Sequence, residues 1–166
     1  MGMRRSFHQW GAFDIRDQLN EWYPAEMFDI VLKCWDLNFP TPMPKQHCGE
    51  HTEITRACIE SPGFQMLMDE CRDHAYSLWA CGQNNIRVMC ICGEGKHRSV
   101  GVSSTLRSVY LRLGFNSLGP FHLSELEGGW RGMCNTCEHC KPNAYKDAMV
   151  TALEHHLACG ADNEDQ

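Results

Sequence analysis

The sequence predicts the α/β class: one compact sheet flanked by helices, in a single domain spanning residues 1–166. Three features carry this expectation. Two strand-like apolar runs, 27–39 and 86–92, bracket a segment from Pro62 in which Phe64, Leu67, Met68, Cys71, His74, Ala75 and Leu78 recur at three- and four-residue intervals. That is the spacing of one helix face. The second run passes through a glycine turn into another helical stretch, 99–113. This order suits a parallel sheet, whose ligands sit at the C-terminal ends of its strands. At 166 residues the chain fits one hydrophobic core.

Taken in order, residues 5–13 read as extended, and 14–23 carry helical spacing through Ile15, Leu19 and Trp22 until Pro24 closes the stretch. The run 27–39 reads as a buried strand leading into a loop, PTPMPKQHCGEHTE, rich in proline and polar residues. Gly82 is placed to end the helix from Pro62, and Ile86–Cys92 is the strand entering the glycine loop. Gly114 is placed to stop the helix that leaves it. A short strand is expected at 118–124, then a cysteine-rich segment at 128–141. A last helix over 142–158 precedes a frayed acidic tail, 160–166.

The loop Cys92-Gly93-Glu94-Gly95-Lys96-His97-Arg98-Ser99 is the most informative segment. Its glycines permit a sharp turn that points successive backbone N–H groups at one spot, and the following helix adds its positive N-terminal end. Arg98 can close on an anion with its planar fork. Five residues separate Cys92 from Arg98, the spacing of cysteine-dependent phosphatases, in which thiolate and arginine face one phosphoryl group. The residues therefore admit a phosphate-binding site or a phosphatase.

This loop, CGEGKHRSV, resembles the CxGGxHRSV loop of the RapZ family's C-terminal domain, and the likeness extends in order and spacing over residues 6–123. The family's Asp-x-Arg-Phe motif is matched by Asp36-Leu37-Asn38-Phe39, followed by PTPMP with His47 and His51 beyond. The family's N-terminal nucleotide-binding P-loop motif does not occur here, so the likeness implies the C-terminal domain alone. It implies binding of a phosphorylated amino sugar and of regulatory RNA, with Asp36, Cys92, Gly93, Gly95, His97, Arg98 and Ser99 at matching positions. Asn38 stands where the family has arginine, removing a fixed charge, and Glu94 adds a carboxylate to the loop; a phosphate site survives both departures, while the identity of the sugar does not carry over.

A phosphatase would use Cys92 as nucleophile, Arg98 and the loop amides on the transition-state oxygens, and Asp36 to protonate the leaving group. Against turnover, Glu94 repels a dianion, His97 is bulky for a loop that wraps a phosphoryl group, and Ile91 stands where tyrosine phosphatases have histidine. Binding of a small phosphorylated metabolite is the favoured expectation over catalysis. An RNA site would rest on Lys96, His97, Arg98, Arg107 and Arg112. The net charge of −6 excludes a generally basic surface, and Arg107 and Arg112 also fit the solvated face of a helix.

Eleven cysteines, odd in number and scattered, with no apolar signal-peptide core ahead of them, favour reduced or metal-bound thiols in an intracellular compartment. Gly2 and Ser6 match a myristoylation pattern. Cys134, Cys137 and Cys140 form a CxxCxxC suited to structural zinc, with the fourth ligand drawn from Cys48, His51 or His122. Iron–sulfur ligation and free thiols are the alternatives. His155 and His156 near the end of the last helix suit its dipole.

Overall fold

The computed structural model describes residues 4–6, 28–38, 47–93, 95–112, 115–116, 120–122, 137, 150 and 154. Outside them lie Gly2, the 7–13 segment and the 14–23 helix, the proline-rich stretch 40–46, Glu94 and Gly114. So do Cys134, Cys140, the rest of 128–141, the last helix apart from Val150 and Glu154, and the tail.

Within the described residues the class is α/β. Strand β1 (Arg4–Ser6) is followed by β2 (Ile30–Lys33), helices α1 (Thr52–Ile59) and α2 (Pro62–Ala80), strand β3 (Val88–Ile91), helix α3 (Arg98–Arg112) and strand β4 (Pro120–His122). The strands pair in parallel: β2 with β3, Ile30 opposite Val88 through Lys33 opposite Ile91, and β1 with β4. β1 packs beside β3. Parallel neighbours need long crossovers, and α1 with α2 supply the one between β2 and β3. The apolar run 27–39 is a strand only over four residues. It ends in a turn at 35–37, so the expected strand is shortened at both ends.

The alternation of β2 explains its two faces. Ile30 and Leu32 are buried beneath the helices together with Val88, Cys90 and Cys92 of the β3 side, while Phe28, Met89 and Ile91 pack with Val31 and Trp35 on the other face. β3 is buried along its whole length, as a strand covered on both faces must be.

Helix α2 follows the expected spacing, with Pro62 at its first position and Phe64, Leu67, Met68, Cys71 and Ala75 buried. His74 is exposed rather than on the buried face. Gly82 adopts φ +85°, the left-handed turn that ends the helix. Helix α3 is apolar or small nearly all round and is buried from Ser99 to Val109 on most of its circumference. It lies between α1 and the strands, the position such a helix requires. Arg107, Leu111 and Arg112 form its exposed edge.

Asp29 pins the two strand entrances together. Its carboxylate accepts from the Arg87 amide at 2.6 Å and from Gln83 Nε2 at 2.7 Å, with Arg87 Nε 3.4 Å away. Burial alone would raise this carboxyl, but the hydrogen bonds from Arg87 and Gln83 and the guanidinium charge outweigh it and hold the group below its ordinary value. Asp29→Ala should cost about 1–3 kcal/mol, because a half-buried amide loses a charged acceptor. Since the folded carboxyl titrates below the unfolded value of about 3.9, its contribution is present above that pH and is lost as pH falls through the folded value. Urea midpoints of wild type and variant should therefore differ by a constant amount from about pH 5 to 8 and converge below about pH 4.

Candidate anion loop and metal-ligand group

The strand β3 delivers Cys92, 2% exposed, to the turn. The Gly95 amide donates to the Cys92 carbonyl at 3.3 Å, and Gly95 takes φ +61°, a conformation glycine adopts without strain. The chain then enters α3 at Arg98. Ser99, fully buried, comes to face Cys92, whose thiol donates to Ser99 Oγ at 3.2 Å. The same hydroxyl can turn to donate to a thiolate. The sequence thus folds locally into the strand, turn and helix that the glycine pattern implied, with the thiol and hydroxyl paired beneath the turn.

Arg98, half-buried, stands in the first turn of α3. Its Nη1 donates to the carbonyl oxygens of Trp35 and Leu37, the latter at 3.3 Å. The guanidinium therefore ties the exit of β2 to the first turn of α3. Its Nε and Nη2 have no hydrogen-bond partner among the described residues.

Asp36 is exposed and lines a cleft of about 390 Å³ with Val31, Lys33, Leu37, Gly63, Met66, Leu67 and Glu70. None of these residues belongs to the 92–99 loop. Lys96 and His97 are half-buried. Of the basic residues proposed for RNA, Arg107 is exposed and Arg112 lies 3.4 Å from Glu154.

Four buried cysteines gather around the exits of β2 and β3. The neighbouring Cys90 thiol and burial hold Cys34 well above an ordinary thiol, with Cys92 and Cys58 adding to the effect. Burial, followed by the charge Cys92 would carry, pushes Cys58 up to about 12. Cys34 and Cys58 are accordingly held as neutral thiols in the core.

The loop's outer wall is built by residues 47–51. The Gly49 amide donates to the Lys96 carbonyl at 2.9 Å, and His97 Nε2 lies 3.1 Å from the His47 carbonyl. Thr55 Oγ1 donates to the Gly49 carbonyl at 2.8 Å, and Cys48 packs on Val100, both fully buried. Within this same segment, His47 and His51 are buried with ring centroids 4.4 Å apart, and Cys137 Sγ lies 3.7 Å from His51 Nε2. His47, His51 and Cys137 each offer a ligand atom within 4.8 Å of the others, so the group could hold a metal ion.

Of the metal residues expected from sequence, Cys137 and His51 are brought together. Cys48 is fully buried and packs on Val100, and Cys134, Cys140 and the His122 side chain lie outside the described residues. His47 was not foreseen. Its spacing to His51, four residues with a cysteine and a glycine between, was the available signal. No family model matches the chain, and neither a curated protein nor a solved structure matches it. No helix among the described residues is long and apolar enough to cross a membrane.

Proposed function

We propose that the Cys92–Ser99 loop binds a phosphate monoester of a small metabolite, a sugar phosphate above all, as the likeness to the RapZ C-terminal domain implies. The observation that carries this reading is the buried pairing of Cys92 and Ser99 beneath the Gly95 turn, at the C-terminal end of β3 and the start of a 15-residue helix. Backbone N–H groups at such a turn and the positive end of the helix favour an anion. Arg98 contributes through the donors it does not spend on Trp35 and Leu37.

Calorimetric titration with inorganic phosphate and with glucosamine 6-phosphate tests it. Arg98→Ala should weaken binding by about 1.5–3 kcal/mol, roughly ten-fold or more, the worth of a charge-assisted hydrogen bond. Arg98→Lys, which keeps the charge, should recover part of the loss while reporting whether the fold survives. Equal affinity in wild type and both variants would remove Arg98 from the site.

The Cys92 to Ser99 contact also favours a second reading, a cysteine-dependent phosphatase, since a hydroxyl 3.2 Å from the sulfur can stabilise a thiolate. That enzyme would hydrolyse p-nitrophenyl phosphate and lose the activity in Cys92→Ser. The binding domain would show no turnover in either form. A structural zinc on the cysteine-rich segment belongs to the main reading, with Cys137 as its ligand facing His51.

A further inference from the structure

His47 and His51 stand at the two ends of the short segment on which the anion loop rests, and Cys137 reaches them from far along the chain. We infer that His47, His51 and Cys137 bind one zinc ion, and that the bound ion clamps residues 47–51 against Lys96 and His97, so that metal occupancy sets the rigidity of the Cys92–Ser99 loop.

The donor set is the first argument. Two imidazoles and a thiolate suit zinc, which takes mixed nitrogen and sulfur ligands in a tetrahedron. With Zn–N near 2.1 Å and Zn–S near 2.3 Å, ligand atoms across a tetrahedral angle stand about 3.6 Å apart. The observed separation of Cys137 Sγ from His51 Nε2 is 3.7 Å. Both histidines are more than nine-tenths buried and Cys137 is half-buried, so the fold encloses the imidazole side of the site. A fourth position is left for water or a further side chain.

Binding rearranges one local contact. His51 Nδ1 now accepts from the Glu53 amide at 3.3 Å and so caps α1, which puts the imidazole proton on Nε2. For Nε2 to ligate the ion, this proton must move to Nδ1, and the Cys137 thiol must release its own to solvent. The cap is then lost, and the metal replaces it as the anchor at the start of the helix.

The coupling follows from what lies between the two histidines. The His47 carbonyl meets His97 Nε2 and the Gly49 amide meets the Lys96 carbonyl. Gly49 is packed so closely on the first turn of α3 that it leaves no room even for a methyl group. A fixed position for both ends of 47–51 is therefore a fixed wall for the loop. This inference deepens the phosphate reading but is measured without it.

Elemental analysis of reduced, zinc-reconstituted protein should find one zinc per chain, lost in Cys137→Ser. Cobalt substitution should give the sulfur-to-metal absorption of a thiolate ligand, absent in that variant. Amide hydrogen exchange at Gly49 and Gly101, which donate to Lys96 and His97 carbonyls, should accelerate at least ten-fold when a chelator strips the metal from the wild type. Less than stoichiometric zinc, or zinc retained unchanged in Cys137→Ser, would overturn the site. Unchanged exchange on stripping would overturn the clamp. Failure of phosphate to bind to zinc-loaded protein would overturn the phosphate reading alone and leave the metal site standing.

Discussion

Gly49→Ala is expected to destabilise the fold by more than about 3 kcal/mol, at or beyond the upper range for overpacked substitutions. A Cβ at this position would overlap the His97 carbonyl oxygen and the Gly101 amide nitrogen and lie 2.8 Å from Val100 Cβ. Two of these obstacles are backbone atoms of the same helical turn, where the Gly101 amide donates to the His97 carbonyl at 2.9 Å. Neither can rotate away as a flexible side chain would. Relief requires the 47–51 segment to withdraw from α3, which breaks the Gly49 to Lys96 hydrogen bond and opens the loop's outer wall. Gly101→Ala is the control: its Cβ would meet the Gly49 carbonyl at 3.1 Å, a crowding of a few tenths of an ångström that the helix preference of alanine, about 1 kcal/mol over glycine, partly offsets. Denaturant midpoints should place Gly49→Ala far below Gly101→Ala. Equal midpoints would mean that the segment does not seat on the helix as described.

Phe64→Ala should cost about 3–5 kcal/mol. Phe64 is 1% exposed and packs in the main core with Leu32, Leu37, Met68 and Leu106. Removing its ring takes away both the transfer free energy of the aromatic group and the contacts of the side chains around it. Met66, two residues on and on the opposite side of α2, is 72% exposed, and Met66→Ala should change stability by less than about 0.5 kcal/mol. Thermal melts of the pair test the face assignment of the whole helix. Similar shifts for both would refute it.

These two residues mark where the sequence was legible. Phe64 stands in a long stretch whose apolar spacing repeats through five buried positions, so α2 could be read within a residue of its ends; Gly82 supplied the stop. The strand-turn-helix around Cys92 was equally plain, because a run of two glycines and charged or polar residues, 93–99, separates two apolar stretches. Helix α1 was missed. It is only eight residues long, it follows a proline-rich loop, and its N-terminal cap is the ring nitrogen of His51 rather than a hydroxyl or carboxylate.

The role of Gly49 was hidden for a different reason. Its environment is made by residues some fifty positions away, and nothing in CGE distinguishes a close approach from an ordinary turn. Arg98 was legible as a loop residue but not in its direction, since its partners are carbonyl oxygens, which carry no side-chain signature. His47 was obscured in the same way: it joins a group of candidate ligands only when the fold brings Cys137 beside His51.

The uneven burial of the thiols sets how this protein responds to alkylating reagents and to air. Cys34, Cys48, Cys58, Cys71, Cys90 and Cys92 are buried, while Cys81, at the C-terminal end of α2, is exposed. An electrophile therefore meets Cys81 well before Cys92, and bulk thiol counts at early times measure the wrong residue. The same exposure lets two copies couple through a Cys81 disulfide once air has exhausted the reductant, giving a covalent pair with no bearing on the Cys92–Ser99 loop. Because Cys81 precedes β3 and the Cys92–Ser99 loop follows it, a dye placed there sits at the far end of the strand, where it can report on the fold without touching that loop.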